Sequence, residues 1–121
     1  MKIFKNKKII VTGHTGFKGS WLVCWLKILG AEIMGVSLRP LNSYNHFSIL
    51  KKRINIKSKY IDITDEKKIN RVINDFKPDF VFHLAAQSIV SKSYISPKLT
   101  FETNAIGTFN ILNALLKLKK K

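Results

Sequence analysis

Three glycines spaced three apart, Gly13, Gly16 and Gly19, stand between an apolar β-branched run and an apolar helical one. This G-x-x-G-x-x-G turn limits the possible folds more than any other feature of the chain. The run before it, Lys8-Ile9-Ile10-Val11-Thr12, reads as a strand; residues 16–29 read as a helix with Gly30 as its stop. In such a strand-turn-helix unit the first glycine allows a tight turn and the second lets backbone approach a diphosphate. The third lets the helix pack closely. Free N–H groups at the helix N-terminus, aligned with its dipole, then favour an anion. Gly13, His14, Thr15, Gly16, Phe17, Lys18 and Gly19 are therefore the expected phosphate-binding part of a dinucleotide site. A nucleoside-triphosphate P-loop is excluded, because no Gly-Lys-Ser/Thr follows the glycines. Lys18 is either a phosphate contact or a solvated lysine.

Strand and helix signals go on alternating. Residues 32–38 read as a second strand, and 41–56 as irregular chain with a helical turn or two at 47–52. Tyr60-Ile61-Asp62-Ile63 reads as a third strand. Thr64 is placed to cap a helix carrying Asp65 and Glu66 in its first turn, with Ile69, Val72, Ile73 and Phe76 as its apolar face. Residues 79–84 form a fourth, apolar strand, and a loop runs on to Ser96. Ser96-Pro97 opens a last helix reaching about Leu118. This series predicts an α/β fold: a Rossmann-like doubly wound parallel sheet, covered on both faces, of order 3-2-1-4 and truncated after four strands. The helix after the glycine turn is apolar nearly all round and is expected to be buried. With neither repeat nor linker, residues 1–121 form one expected domain.

Charge invites a different reading. Lys+Arg number 22 against 7 Asp+Glu, a formal net charge of +15, the footprint of a nucleic-acid or anionic-membrane binder. However, 19 Lys, 16 Ile and 9 Asn make 44 of the 121 residues, the bias that AT-rich codons would impose. The cations at 5, 7–8, 51–53, 57–59, 67–68 and 117–121 are also spread over separate elements, and no aromatic-basic reader motif accompanies them. No nucleic-acid partner is expected. No membrane span is expected either, since Lys18 and Lys27 bound the longest apolar stretch. Residues 9–11 are too few for a signal-peptide core. The single Cys24 excludes an internal disulfide and a Cys-based zinc site and suits a reducing, cytoplasmic location; a buried inert thiol is expected there. No metal site is expected.

At the far side of the site the readings divide. Asp62, at the end of the third strand, can accept from an adenine amino group, with Ile63 covering the ring; alternatively it is a capping acid beside Thr64. NAD sites usually carry an acid near the end of the second strand to hold the ribose 2′-hydroxyl. Here that neighbourhood is Val36-Ser37-Leu38-Arg39. Arg39 either faces a 2′-phosphate, which would mean NADP, or is one more surface cation. His14 and His83 read as satisfied structural histidines.

The longer block Val11-Thr12-Gly13-His14-Thr15-Gly16-Phe17-Lys18-Gly19-Ser20-Trp21-Leu22 is far more specific than the glycine spacing. A second block runs His83-Leu84-Ala85-Ala86-Gln87-Ser88-Ile89-Val90, with Ser93-Tyr94, Pro97, Asn104, Gly107-Thr108 and Asn110-Ile111-Leu112. Together they resemble the extended short-chain dehydrogenase/reductases, the NAD-dependent epimerases and dehydratases of nucleotide sugars. Within these the resemblance is to the CDP-glucose 4,6-dehydratase subgroup, over residues 8–116. It implies NAD as cofactor, with the diphosphate on 13–19, the adenine at Asp62 and Ile63, and Leu84, Ala85, Ala86 and Gln87 beneath the nicotinamide riboside. Asn104 would support the active-site side, and Gly107 would allow close helix packing. Members of the subgroup use NAD without the usual acid, which inclines Arg39 toward a surface cation.

The implied reaction is an internal redox cycle. Hydride leaves C4 of CDP-glucose, water leaves across C5 and C6, and the hydride returns to C6, giving CDP-4-keto-6-deoxyglucose. The family draws the C4 hydroxyl proton with a Tyr-x-x-x-Lys pair after a fifth strand. Tyr94 and Lys98 have that spacing but fall before Asn104, and Pro97 breaks the helical register between them. No catalytic residue is therefore assigned. The chain is expected to be the N-terminal cofactor half of a nucleotide-sugar enzyme, inactive alone, and a non-catalytic NAD(P)-binding module stays open beside that reading. Lys117-Leu118-Lys119-Lys120-Lys121 implies an A-rich gene segment prone to slippage, so a frameshift is the expected reason for the chain's length. The apolar edge of the fourth strand is expected to promote self-association or a homo-oligomer.

Overall fold

The computed structural model describes residues 2–118. The chain divides into two compact units, Met1–Tyr60 with Pro78–Leu84, and Ile61–Lys77 with Ala85–Lys121.

The first unit holds the whole sheet. Strand β1 (Lys8–Thr12) lies between β2 (Glu32–Ser37) and β4 (Phe80–His83), and β2 pairs in turn with β3 (Lys57–Tyr60). All pairings are parallel and the order is β3-β2-β1-β4, as expected. Ile9, Ile10, Val11 and Thr12 are all buried, the pattern of a central parallel strand. Helix α1 (Phe17–Ile28) and helix α2 (His46–Lys51) complete the unit. Val23, Leu26 and Phe47 from these helices join Ile9, Val11 and Ile33 of the sheet in one core cluster.

Three expectations fail in this unit. The third strand spans Lys57–Tyr60 rather than residues 60–63. Register explains the shift: Tyr60 pairs with Ser37, the last residue of β2, so residues 61–63 have no strand left to pair with. An edge strand needs less apolar surface than an interior one, and here Lys57 and Lys59 point outward. Helix α1, in turn, buries only the side carrying Gly19, Ser20, Val23 and Leu26. Phe17, Trp21, Trp25 and Ile28 are exposed, and the Cys24 thiol is half-buried rather than enclosed. Trp21 stacks on His46 with ring centroids 4.2 Å apart.

The second unit is helical. Helix α3 (Glu66–Phe76) buries Ile69, Val72, Ile73 and Phe76, the expected face. Its cap is Asp65, whose carboxylate accepts from the Lys68 N–H at 3.1 Å, and not Thr64. Residues 90–95, expected as loop, form a short helix α4 (Val90–Ile95) that buries none of its side chains. From Pro97 the chain is helical to Lys117, as α5 (Pro97–Phe101), a π-helical segment over Glu102–Gly107, and α6 (Thr108–Lys117). Helix α6 packs on α3. Lys119, Lys120 and Lys121 lie outside the described residues.

Candidate functional site

In the first unit the glycine turn is built as its spacing requires. Gly13 has φ 72°, a left-handed conformation that favours glycine. Its N–H donates to the Val36 carbonyl at 2.8 Å, and its carbonyl accepts from Gly16 N–H at 3.0 Å. A Cβ at Gly19 would collide with the Gly13 carbonyl oxygen and come within 2.8 Å of its carbon. The third glycine thus seats α1 against the turn itself. Gly16 is the N-cap of α1 and supplies no side-chain cap, so the N–H groups of the first helical turn have no intrahelical carbonyl partner and are suited to an anion. Gly16, Phe17 and Lys18 are exposed there. Thr15 turns the other way: its hydroxyl meets that of Ser37 at 2.5 Å and the Leu38 carbonyl at 3.2 Å, tying the turn to the end of β2.

His14, in the same turn, sends its imidazole into the core. The ring is fully buried, edge-on to Phe47 at 4.8 Å, stacked on Tyr60 at 6.4 Å, with Nε2 3.0 Å from the Ser58 hydroxyl. It lies directly over Gly35 of β2, where a Cβ would fall 2.6 Å from Nε2. Burial pushes its pKa down to about 4, so the ring is neutral near pH 7. The ring thus faces the core, and what it brings to the turn is rigidity. The signal for this pairing was in the sequence, because an isolated glycine inside a strand marks a close approach. At the end of β4, His83 Nδ1 lies 2.6 Å from the Thr12 hydroxyl, which also accepts from the Leu84 N–H at 3.1 Å. Burial lowers the His83 pKa as well.

In the second unit, Asp62 sits in a turn beyond β3. One carboxylate oxygen accepts from the Thr64 N–H at 2.9 Å and from its hydroxyl at 2.8 Å. The residue is exposed and still presents its carboxylate to solvent. Ile63 is buried instead, against Gly107 of the π-helical segment, where a Cβ would stand 2.5 Å from Ile63 Cδ1. The close approach expected at Gly107 is therefore made to this loop. Asn110, buried in α6, donates to the Ile63 and Thr64 carbonyls at 3.0 and 3.1 Å.

The segment after β4 in this unit, with Ala85, Ala86 and Gln87, is held from the same helix. Asn104 accepts from the Gln87 N–H at 2.7 Å and donates to its carbonyl at 3.0 Å. The Gln87 side chain is spent locally, on Ile89 and Thr100. Asn104 belongs to the π-helical segment, a distortion that often marks functional positions. Tyr94 and Lys98 lie on different helices separated at Ser96, and Lys98 is 3.8 Å from Glu102. Among the described residues no cluster of His, Cys, Asp or Glu is arranged for a metal ion. No helix among them is long and apolar enough to cross a membrane.

Comparison with known proteins agrees with this geometry. The sequence profile of the GDP-mannose 4,6 dehydratase family matches residues 10–121. The chain is 41% identical over 112 residues to a CDP-glucose 4,6-dehydratase of Salmonella typhimurium, covering 93% of this chain and 31% of that protein. It is 37% identical over 125 residues to a GDP-mannose 4,6-dehydratase of Vibrio cholerae, covering 96% and 34%. Among solved structures it resembles a Thermus thermophilus UDP-glucose 4-epimerase in complex with NAD, with TM-score 0.76, 29% identity and coverage of 88% and 33%. The chain thus spans about a third of the length of the relatives it matches.

Proposed function

The chain belongs to the GDP-mannose 4,6 dehydratase family, and on that basis we propose that it is the cofactor-binding portion of an NAD-dependent nucleotide-sugar 4,6-dehydratase whose substrate is CDP-glucose. The observation that carries the reading is the cradle at the glycine turn. A left-handed Gly13, a Gly19 with no room for a Cβ and an uncapped helix N-terminus fit a diphosphate. The N–H groups opening α1 would hold that diphosphate, with Lys18 beside them. Asp62 would accept from the adenine amino group, and Leu84, Ala85, Ala86 and Gln87 would run beneath the nicotinamide riboside. When bound, NAD supplies reversible hydride uptake, needed at sugar C4 and returned at C6. The residues of this chain bind and orient the cofactor. Tyr94 and Lys98 occupy separate helices, so no base for the C4 hydroxyl is assigned among the described residues.

Support for CDP-glucose comes from the Salmonella relative and the His14–Trp21 block. A UDP-sugar 4-epimerase is the second reading, favoured by the likeness to the Thermus enzyme. The 121-residue chain is expected to form no 4-keto product from CDP-glucose and NAD. Appearance of that product would overturn its assignment as a cofactor portion without the catalytic base. Calorimetric heat with UDP-glucose and none with CDP-glucose would favour the epimerase reading.

A further inference from the structure

Charge is unevenly distributed along this chain. Residues 1–61 hold 12 Lys and Arg against a single acid, Glu32, and that carboxylate is already paired with Lys57 at 3.1 Å. Residues 62–121 hold 10 cations against six acids. The one-sign segment includes helix α1 and its uncovered apolar side. Phe17, Trp21, Trp25 and Ile28 recur at i, i+4, i+8 and i+11, so they share one face, opposite the Gly19, Ser20, Val23 and Leu26 that seat the helix on the core. Trp21 is 54% and Trp25 49% exposed. A continuous apolar stripe of this kind, bordered by charge, marks a contact surface.

The stripe is also held in place. The Trp21 and His46 rings are stacked, their planes 25° from parallel. His46 Nδ1 is 2.6 Å from the Ser20 hydroxyl, which donates to the Phe17 carbonyl at 2.8 Å. Little ordering is therefore left to be lost at Trp21 when the face is covered. What covers it follows from charge and shape. Lys18 and Lys27 are exposed on the two flanks of the stripe, and α1 carries no acid. A second copy docked face to face would set these cations against their own counterparts, whereas an anionic surface has the complementary sign. The stripe follows the outside of a helix for about 17 Å. A flat interface reaches it along its whole length, while a bound peptide segment needs a groove. Tryptophan rings settle at the headgroup level of a bilayer, and lysine stems lie along apolar surface while carrying the ammonium to phosphate.

We propose that the outer face of α1 docks the chain on a membrane surface rich in anionic lipid. Trp21, Trp25 and Ile28 enter the headgroup region, and Lys27 meets lipid phosphate. The attachment is peripheral and reversible, built from a few apolar side chains and a one-sign field, and it needs no spanning helix. It does not depend on the cofactor reading.

The test must separate docking through this face from the pull of a +15 chain on any anionic surface. Both tryptophans of the chain belong to the stripe, so its indole emission reports on this face alone. The chain is titrated with vesicles of about three parts phosphatidylserine to seven of phosphatidylcholine, and with vesicles of phosphatidylcholine only. On the anionic vesicles the emission is expected to shift to the blue and to be quenched by lipid brominated on its acyl chains. Partition is expected to be at least tenfold stronger than on the neutral vesicles. Trp25→Ser/Ile28→Ser, which keeps the Trp21–His46 stack, is expected to lose at least tenfold in partition measured by flotation. Lys27→Glu is expected to lose about fivefold or more. All three side chains are exposed, and folding of each variant is checked by its thermal midpoint. Partition without quenching means adsorption through another face and would overturn the proposal. So would equal partition onto the two kinds of vesicle, no partition, or undiminished partition of either folded variant. A blue shift that follows chain concentration and not lipid would assign the face to a second copy. A shift with a Glu-rich amphipathic peptide and none with vesicles would assign it to an acidic protein. Either result contradicts the membrane assignment.

Discussion

His14 and Gly35 show how one residue's identity is set by another's. Gly35→Ala would drive a Cβ into the His14 ring, and overpacking of this kind costs about 1–3 kcal/mol. Urea denaturation is expected to show that loss. In the Gly35→Ala/His14→Ala double variant the two effects are expected to fall well short of additive, because the residues touch. The same ring makes stability depend on pH. Its pKa is about 4 in the folded chain against an ordinary 6.5, so between those values the unfolded state binds the extra proton. The stabilisation is fully present above pH 6.5 and is lost as pH falls toward 4. From pH 7 to pH 5 the loss is about 2 kcal/mol, with His83 adding in the same direction. A urea midpoint that does not fall between pH 7 and pH 5 would contradict this. At this scale the phosphate turn was legible because Gly13, Gly16 and Gly19 answer local backbone demands. That the His14 ring is structural was legible as well, and Gly35 marked a close approach; that the two meet was not, since only the folded sheet brings Gly35, Ser58 and Tyr60 beside the ring.

Elements were legible where pattern and packing coincide. Helix α3 carries its apolar residues at helical spacing and buries those same residues. Helix α1 has apolar residues on most sides, so periodicity could not say which would be covered, and the side bearing Phe17, Trp21, Trp25 and Ile28 is exposed. The third strand was displaced because its limits come from the end of β2 and not from its own composition. Nothing local in Glu102-Thr103-Asn104-Ala105-Ile106-Gly107 announces π-helical geometry. That segment bonds the Gln87 backbone through Asn104 and meets Ile63 at Gly107. Asn110 is the corresponding anchor in α6. Asn110→Ala would leave two carbonyls of the Asp62 turn without their donor, at about 1–3 kcal/mol. Chemical denaturation should register that loss, and on the adenine role proposed for Asp62, NAD affinity is expected to fall with it. A variant as stable and as tight-binding as the parent would count against this role.

For the whole molecule, charge and fold tell different stories. A net charge of +15 spread over many elements leaves the architecture unaffected; its pattern of βα units is what defined the class. Among the described residues β4 is an edge of the sheet, with Phe80, Val81 and Phe82 half-buried along it. Such an edge is a pairing surface, and sedimentation at rising concentration is expected to show association, a strict monomer being the contrary result. The central claim, that this chain holds a dinucleotide on the turn at 13–19, is tested most directly by one comparison. NAD is titrated calorimetrically into the chain and into Gly16→Asp. Gly16 is an exposed N-cap with ordinary backbone, where aspartate is a favoured capping residue. A Cβ there would stand 3.3 Å from the Gly13 carbonyl oxygen, so the turn must give slightly; folding of the variant is checked by its thermal midpoint, and its carboxylate occupies the anion's place. The account predicts saturable one-to-one NAD binding by the chain, weakened at least tenfold in Gly16→Asp. No saturable binding by the chain, or equal affinity in the folded variant, would contradict it.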